Sequence, residues 1–368
     1  MNEDVYSIWL SSISVSSNIK IKILEEIGSF RSIYYLRKQD YLSFGLTETQ
    51  AQKFIEAQDK IDKSAEILEY TQQNNIDVIN IAQKEYPLSL NHINEPPLVL
   101  YGRGNKSSLH ELSIAVVGSR KCSEYGFFTA KKFAQELAEM GICVVSGLAM
   151  GIDAAAHQGA LSVKQRTVAV LGSRIDACYP AENSLLYNQI LNQEGYIISE
   201  YAPGYQTKLY NFSRRNRIIS GLSLGVLVVE AAYKSGALIT AHNALIQGKS
   251  VFAVPANLGS GYGSGSNELI QQGAKLVQNV QDIIDDFPYY IRIKLKTSLT
   301  ENLLDEKFSL DKNESLVYDC LSWQTAKSFS ELEKVTTLSS DQLNRILVKF
   351  EIIGVVSRIP GNRYIKNR

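Results

Sequence analysis

Hydrophobic and polar positions divide the chain into three stretches of different texture. In residues 1–75, apolar side chains recur at helical spacing, for example at Ile23, Leu24 and Ile27, and short turn signals such as Gly28 interrupt the pattern. This pattern predicts a small bundle of short helices. A bundle of this kind is either a helix-hairpin-helix that binds the DNA backbone or a module for packing and protein contact. We favour the second interpretation because the turns lack a G-x-G sequence.

Residues 110–280 have a different pattern, in which continuous apolar, β-branched runs alternate with amphipathic segments. The runs that predict strands are Ile114–Val117, Ile142–Val145, Val168–Leu171, Tyr196–Ser199, Val226–Val229 and Val251–Val254. Helical patterns lie between most of them, at Phe127–Met140, Ile152–Ser162 and Ala237–Gln247. Strands that are apolar on both faces and alternate with helices indicate a parallel sheet covered on both sides. We therefore predict an α/β, Rossmann-like domain over 80–285, with its ligand site at the carboxyl ends of the strands.

The last stretch predicts a linker followed by a small domain. Residues 286–310 are polar and contain Pro288, which favours a linker. Residues 311–368 predict helices at Ser315–Ser322, Phe329–Val335 and Ser340–Ile353, then two short strands, Val355–Arg358 and Arg363–Ile365, around Pro360-Gly361-Asn362. This order is typical of a winged helix, which binds either duplex DNA or another protein. The predicted recognition helix carries Arg345 and Lys349 but also Asp341 and Glu351, so we favour protein contact.

Composition limits the function classes but does not select one. The 368 residues include 38 basic and 38 acidic side chains, so the net charge gives no argument for nucleic acid and any phosphate site must come from local clustering. The cysteines, Cys122, Cys143, Cys178 and Cys320, are widely spaced, which argues against a zinc site and favours reduced thiols. No apolar run has the length of a membrane span. We expect a cytoplasmic protein with no membrane segment and no cofactor.

Two glycine turns follow predicted strands. Gly118-Ser119-Arg120 stands between a strand and a helix, where backbone N–H groups and an arginine can bind phosphate. Gly147 belongs to a second such turn, and Asp153 and His157 follow it. Asp153 is either a helix cap or one half of an acid–base pair with His157, and we favour the cap.

The segment Lys208–Arg217 is the strongest signal for function. It reads Lys-Leu-Tyr-Asn-Phe-Ser-Arg-Arg-Asn-Arg and contains four cations and two aromatic rings without an acidic residue. In a loop at a strand end, the cations would neutralise phosphates and Phe212 or Tyr210 would stack on a base. The alternative is a solvated helix start whose arginines form salt bridges. We expect Arg217 in particular to be a structural anchor that reaches Glu230 or Glu200.

Other glycine-rich segments predict no nucleotide chemistry. The loop Pro255–Asn267 has small residues that permit close approach of a ligand, but this signal is not specific. Gly248-Lys249-Ser250 resembles the end of a Walker A loop, yet Asn243 replaces the first glycine and the triplet precedes a strand. The first turn also lacks G-x-G-x-x-G. We therefore predict neither ATP hydrolysis nor NAD binding.

Taken together and in order, these stretches resemble the DNA-processing protein A (DprA/Smf) family. The matching segments are Ala115–Arg120, Ser146–His157, Tyr179–Asn183, Ser199–Tyr201, Phe212–Ser223, Val229–Ala231, Ser235–Ala241, Val251–Pro255 and Asn267–Ala274. The flanks are similar as well, since the family commonly has a sterile-alpha-motif-like or helix-hairpin-helix module before its central domain and a winged helix after it.

The resemblance implies a protein that binds single-stranded DNA, loads RecA recombinase onto incoming strands in natural transformation and forms a homodimer, with no catalytic step. Carried over to this sequence, Gly118, Ser119 and Arg120 contact phosphate, Phe212 stacks on a base, Arg214 and Arg215 contact the backbone, and the turn at Ser266-Asn267 closes the pocket. The remaining residues that we expect at the nucleic acid are Gly147, Lys208, Asn211, Asn216, Arg217 and Lys249.

Two other functions remain open at this stage. Related folds cleave nucleotides, so a nucleotide-processing enzyme that uses Asp153, His157 or Glu230 as acid or base is the main alternative. A protein scaffold whose arginines hold an acidic partner is the second. The sequence offers no metal cluster and no nucleophile–base pair, so we favour a DNA-binding protein that is not an enzyme.

Overall fold

We determined the architecture from a computed structural model, which describes residues 2–259, 261–288, 291–292, 295, 311–322, 325–352, 355–359 and 361–366. The chain forms two compact units, Met1–Asp286 and Phe287–Arg368. Most of the predicted linker, 286–310, lies outside the described residues.

Short helices form the beginning of the larger unit, as predicted. They are α1 (Glu3–Ser12), α2 (Ser17–Ile27), α3 (Phe30–Tyr34), α4 (Lys38–Ser43), α5 (Glu48–Gln58) and α6 (Ile61–Gln73). Their boundaries have local causes. Gly28 ends α2 in the left-handed conformation, with φ 76°. Thr47 and Gln50 form a capping box at the start of α5.

A nine-stranded sheet forms the rest of the larger unit. Its strands are β1 (Asp77–Asn80), β2 (Val99–Gly104), β3 (Ser113–Val117), β4 (Cys143–Ser146), β5 (Thr167–Leu171), β6 (Tyr196–Ser199), β7 (Gly225–Val228), β8 (Ser250–Ala253) and β9 (Lys275–Leu276). The spatial order is β1-β2-β6-β5-β4-β3-β7-β8-β9. In this spatial order, every neighbouring pair from β6 through β5, β4, β3, β7 and β8 to β9 is parallel. At one side of the sheet, β2 pairs antiparallel with β6, and β1 pairs antiparallel with β2.

Helices cover both faces of this sheet. They are α7 (Glu124–Glu139), α8 (Ile152–Ser162), α9 (Ser184–Asn192), α10 (Leu209–Leu222), α11 (Gly236–Ile246), α12 (Ser264–Gln271) and α13 (Val280–Ile284), with short 3-10 turns at Leu88–Leu90, Lys106–His110 and Ala181–Asn183. Alternate residues of β5 enter different cores, since Ala169 and Leu171 belong to one and Val168 and Val170 to the other. The first core also contains Trp9, so the N-terminal helices pack on one face of the sheet.

The α/β class and the parallel sheet confirm the prediction, and each predicted strand lies within one residue of an observed one. The prediction omitted β1, β2 and β9. The first two are antiparallel and need no helical crossover, so they do not follow the alternation of strand and helix on which the prediction rested. The third has only two residues.

Within the described residues of 311–366, the smaller unit forms three helices and a three-stranded antiparallel sheet. The elements are α14 (Lys312–Cys320), β10 (Lys327–Ser328), α15 (Phe329–Thr336), α16 (Ser340–Ile352), β11 (Val356–Ile359) and β12 (Arg363–Lys366), and the sheet order is β10-β12-β11. This is the element order of a winged helix. Two residues of the prediction, Ile353 and Pro360, lie outside the described residues. On α16, the ammonium of Lys349 forms an ion pair with Glu314 of α14.

Candidate nucleic-acid interface

A pocket of about 480 Å³ opens at the carboxyl ends of β3, β4 and β7. Its walls are the turn 118–121 after β3, the start of α8 after β4, residues 212–219 of α10 and the start of α11. This is the edge of a parallel sheet at which ligands bind in open α/β folds. Gly118, Ser119, Arg120, Phe212, Arg215 and Asn216, all singled out in the sequence, line this one pocket.

An arginine and two aromatic rings lie at the pocket. The guanidinium carbon of Arg120 lies 5.5 Å from the centroid of the Phe212 ring, within the range of a cation–π contact. The Tyr179 ring packs against the Phe212 ring, with 5.0 Å between the two centroids and an interplanar angle of 35°. Arg120 is exposed and Phe212 is half-buried. The group therefore offers an exposed cation and an aromatic surface to the same ligand.

The turn at Gly118 is shaped by contacts within the protein. A Cβ added at Gly118 would lie 2.5 Å from the Ile152 side chain and 2.7 Å from the Glu230 carbonyl oxygen. The Ser119 N–H donates to that same carbonyl at 2.7 Å, and the Lys121 N–H donates to the Ser119 hydroxyl at 3.2 Å. Two N–H groups that the sequence suggested for phosphate therefore hold the turn in place, and the side chains of Arg120 and Lys121 remain exposed there.

Arg215 is part of the pocket wall and is only 4% exposed. Its Nη1 donates to the carbonyl oxygens of Gly147, at 2.7 Å, and Val170, while its Nε donates to the Asn216 side chain at 3.1 Å. Burial lowers the pKa of Arg215 to about 10, and the negative charge of Asp153 opposes that shift. Gly147 has no side chain because a Cβ there would lie 2.5 Å from this guanidinium. Arg215 thus joins the ends of β4 and β5.

The other two arginines of the cationic segment do not line the pocket, and the segment is not the loop that the sequence suggested. Lys208–Arg217 is mostly helical, because α10 begins at Leu209. Arg217 is buried, and its Nη2 lies 2.7 Å from the Glu200 carboxylate, which confirms the predicted anchor to Glu200; its Glu230 alternative is wrong. Arg214 is half-exposed, 3.7 Å from Glu200 and 4.0 Å from Glu95.

Three further residues of α10 and its cap have separate environments. Lys208 precedes α10 and is exposed, with its ammonium 5.9 Å from the Tyr210 ring centroid. Asn211 is fully buried in the first turn of α10, so contact with a ligand would need a rearrangement of that turn. Asn216 donates from its side chain to the Gly236 carbonyl at 3.1 Å and thereby fixes the start of α11 beside the pocket.

Lys249, which the sequence suggested for the nucleic-acid site, does not line this pocket. The residue directly precedes β8 and therefore lies at the amino-terminal edge of the sheet, opposite the pocket. Its ammonium donates to the carbonyl oxygens of Ser220, at 2.8 Å, and Gly221, at 2.6 Å, near the carboxyl end of α10. Burial lowers the pKa of Lys249 to about 8. The lysine stabilises the helix end, a common role for a cation there.

Ser266 and Asn267 also differ from the expectation of a turn that closes the pocket. Both lie inside α12, and neither lines the pocket. The Ser266 hydroxyl accepts a hydrogen bond from the Ala231 N–H at 3.0 Å. The Asn267 side chain accepts from the Ala256 N–H and donates to its carbonyl, both at 2.9 Å. The two residues attach α12 to the loops after β7 and β8.

The candidate acid–base groups of the enzyme alternative are engaged within the fold. The Asp153 carboxylate accepts from the Ala149 N–H at 3.4 Å, and burial raises its pKa. His157 bonds through Nδ1 to the Thr167 hydroxyl at 2.8 Å rather than to Asp153, and burial lowers its pKa to about 3. The Glu230 carboxylate accepts from the N–H and hydroxyl of Ser123, both at 2.7 Å, at the start of α7.

Sequence reasoning missed two residues that shape the aromatic group. Tyr179 lies in a turn after β5 whose Tyr-Pro pair was noted only as part of the resemblance. Gly172 directly follows β5, and a Cβ there would lie 2.6 Å from the Phe212 ring. A glycine immediately after a parallel strand was the available signal, because that position faces the ligand edge.

The described residues do not place three or more His, Cys, Asp or Glu side chains together as a metal site. The cysteines are all free thiols. None of the helices in the described part of the chain is long and apolar enough to cross a bilayer.

Comparison with known proteins identifies the family. The family model described as DNA recombination-mediator protein A matches residues 77–288. Protein Smf of Escherichia coli K12 is 38% identical over 288 residues, which are 77% of this chain and 75% of that protein. The DNA processing protein DprA of Streptococcus pneumoniae R6 is 44% identical over 204 residues, 55% of this chain and 72% of that protein.

Solved structures agree with these matches. The X-ray structure of DprA from Streptococcus pneumoniae has a TM-score of 0.68 and 35% identity, and the match covers 78% of this chain and 99% of that one. The Helicobacter pylori DNA processing protein A, whose structure is described as revealing its single-stranded DNA binding mode, has a TM-score of 0.53 and 29% identity over 60% of this chain and 96% of that one. The chain belongs to the DNA recombination-mediator protein A (DprA/Smf) family, which is not a known family of enzymes.

Proposed function

We propose that this protein binds single-stranded DNA in the pocket at the carboxyl edge of the sheet. The observation that carries the proposal is the contact of Arg120 with Phe212 at the pocket wall, because it joins a cation for phosphate to an aromatic surface for a base. These are the two groups that sequence-independent binders of single strands combine. The single-stranded DNA binding mode described for the Helicobacter pylori relative supports the same ligand.

In this proposal the exposed side chains of Arg120 and Lys121 hold phosphates, and Phe212 and Tyr179 stack on a base. The pocket volume of about 480 Å³ is that of a small-molecule site, so it takes about one nucleotide while the remaining strand lies outside. Arg215, Arg217 and Asn216 act indirectly, since they fix the helices and turns that form the pocket. Binding should therefore have little sequence preference and a strong dependence on salt.

We further propose that the bound strand is delivered to RecA recombinase, during natural transformation and DNA recombination in the cytoplasm, and that the protein acts as a homodimer. Membership in a family of recombination mediators supports this role. Its test is RecA filament formation on DNA already coated with a single-strand-binding protein. Faster filament formation with this protein, lost on Arg120→Ala, is expected; light scattering of the purified protein reports whether it is a dimer.

We also propose which part of the chain carries each function. We assign strand binding to residues 80–285 and protein contact to the helices of 1–75 and the winged helix of 311–368, with 286–310 as the linker. Lys349 of α16 forms an ion pair with Glu314 of the same unit. This pairing removes one cation from those that could bind DNA and therefore supports protein contact. Accordingly, Arg345→Ala should leave the affinity for a single strand unchanged.

The primary experiment is fluorescence anisotropy of a labelled single-stranded oligonucleotide across a salt series. Arg120→Ala should weaken binding and reduce the salt slope by roughly one, because one phosphate contact is lost. Arg166→Ala is the control with the same charge change, since Arg166 pairs with Glu111 and Glu194 at the opposite edge of the sheet. Equal effects of the two variants, or no binding by the unchanged protein at low salt, would refute the proposal.

A further inference from the structure

Exposed aromatic rings are concentrated at one edge of the larger unit. Among the described residues of this unit, the exposed rings belong to Tyr35, Tyr70, Tyr125, Phe128, Tyr179, Tyr210, Tyr233 and Tyr262. Only the first two lie in the N-terminal region, residues 1–75. Each of the others follows the carboxyl end of a parallel strand, namely β3, β5, β6, β7 or β8. The topology therefore brings rings from five strands to the same edge as the pocket.

Two of these groups flank the pocket on the segments that form its walls. Tyr125 is 61% exposed and Phe128 is 67% exposed, and both lie in the first half of α7, directly after the pocket residues Arg120 and Lys121. Tyr233 is 65% exposed and precedes the pocket residue Ser235 in the loop after β7. Large exposed rings are costly in water, so their clustering beside a pocket points to a ligand that covers them.

Cations accompany both groups. Residues 125, 128 and 132 share one face of α7 by their spacing, and Lys132, with a side chain 76% exposed, continues the face of Tyr125 and Phe128. The ammonium of Lys234 lies 5.3 Å from the Tyr233 ring centroid. Acidic residues are also present: Glu136 lies 3.7 Å from Lys132, and Glu124 is exposed one residue before Tyr125. Each ring nevertheless has a cation on its own face or beside it.

We infer that Tyr125 and Phe128 on α7 and Tyr233 after β7 are stacking platforms for the nucleotides on either side of the one in the pocket. This inference rests on the proposed function, because the occupant is the same strand as it leaves the pocket. The combination of exposed rings and neighbouring cations fits a single strand, whose bases stack and whose phosphates are neutralised. Protein interfaces are depleted of lysine, whereas a lysine accompanies each of these groups of rings, so a nucleic acid fits this surface better than a protein partner.

The dimensions of the edge agree with a strand of several nucleotides. Neighbouring strands of a sheet are about 4.8 Å apart, so the edge from β5 to β7, three strand spacings in the observed order, measures about 15 Å. Stacked bases of one strand are about 3.4 Å apart. The site therefore spans several nucleotides, of which the pocket holds one.

The test compares a strand reduced to one nucleotide, thymidine 5′-monophosphate, with an oligothymidylate of about 16 nucleotides, the upper end of the site sizes of single-strand binders. The double variant Tyr125→Ala with Phe128→Ala and the single variant Tyr233→Ala should each weaken binding of the longer strand about fivefold or more. Binding of the shorter strand, which the pocket holds, should change little. Tyr70→Ala is the control, because Tyr70 is also exposed but belongs to the N-terminal helix α6 and follows none of the parallel strands.

The outcomes separate this inference from the proposed function. Unchanged affinity of the platform variants for the longer strand, while Arg120→Ala still weakens both strands, would overturn the platforms and leave the pocket intact. Equal losses for both lengths would also overturn them, because the rings would then serve the pocket itself. Tyr125→Phe with Phe128→Trp keeps the rings and should retain the affinity of the unchanged protein. Its failure to do so would contradict stacking.

Discussion

The Arg120 guanidinium lies over the Phe212 ring, 5.5 Å from its centroid, while Tyr179 lies against the same ring at 5.0 Å. The ring is therefore already in contact with two groups before any ligand arrives. A base that stacks on Phe212 would displace Arg120, which is exposed and free to move towards a phosphate. In the proposed complex, the contact would thus link base stacking to phosphate binding at one position of the strand.

Phe212→Leu should weaken oligonucleotide binding about tenfold, because leucine retains the apolar packing beside Gly172 but cannot stack on a base. Phe212→Trp should retain most of the affinity. Anisotropy titrations at one fixed salt concentration measure both. If the leucine variant binds as tightly as the unchanged protein, Phe212 is not a stacking residue.

Neighbouring arginines of α10 should respond very differently to substitution. Arg215→Ala removes the bonds to Gly147 and Val170 and leaves those buried carbonyl oxygens unpaired, so the free energy of unfolding should fall by about 3 kcal/mol. Arg214→Ala removes only a half-exposed ion pair and should cost less than about 1 kcal/mol. Urea denaturation measures the free energy of unfolding of the two variants. Similar losses of that free energy would contradict the role of Arg215 in joining the ends of β4 and β5.

Two glycines at the pocket should differ in their tolerance of a side chain. Gly147→Ala places a Cβ 2.5 Å from the Arg215 guanidinium and should lower the free energy of unfolding by about 2 kcal/mol, with a weaker affinity for DNA. Gly236→Ala meets nothing within 4 Å and has ordinary backbone geometry, so it should change stability by less than about 0.5 kcal/mol. A stable Gly147→Ala protein with full affinity would show that Arg215 can move without consequence.

His157 should make the fold less stable in mild acid. Burial, together with the positive charge of Arg215, lowers the pKa of His157 to about 3 in the folded protein from an ordinary value of 6.5. Between these values the unfolded chain binds a proton that the folded protein does not. The stability that the neutral, buried His157 contributes to the fold is therefore complete above pH 6.5 and is lost as the pH falls towards 3.

The measurement is the free energy of unfolding at about pH 7 and about pH 5 for the unchanged protein and for His157→Gln, which cannot titrate. The loss between the two pH values should be about 2 kcal/mol smaller in the variant. Carboxylates such as Asp153 titrate in both proteins, so their contribution to the pH dependence of stability cancels in this comparison. The raised pKa of Asp153 by itself would make the fold more stable as the pH falls, the opposite of the effect of His157. Parallel pH dependence of the two proteins would contradict a neutral buried His157.

How far the sequence predicts this molecule depends on the kind of pattern. Buried parallel strands are apolar at every position, so the strands from β3 to β8 could be located to within a residue, whereas β1 and β2 lie outside the repeating strand–helix pattern. The turn at Gly118 and the ring of Phe212 were found because both follow strand ends. Tyr179 and the first turn of α11 needed the tertiary arrangement, whereas Gly172 directly follows a strand and could have been found in the same way as Gly118.

The cationic segment shows why the site could not be fully predicted. A run of arginines in a sequence looks like one charged surface, but successive residues of a helix point about 100° apart. Arg215 therefore lines the pocket, whereas Arg214 and Arg217, three positions apart on another face of the helix, both approach Glu200. Lys249 was misplaced for a related reason, since its position relative to the sheet edge follows from whether it precedes or follows a strand.

The most direct test of the account is photocrosslinking of a single-stranded oligonucleotide that carries 5-iododeoxyuridine, followed by mass spectrometry of the crosslinked peptides. The account predicts crosslinks to the peptides that contain Phe212 and Tyr179, reduced by Arg120→Ala and unaffected by Arg166→Ala. Crosslinks confined to the N-terminal helices or to the winged-helix unit, with none at Phe212 or Tyr179, would contradict it.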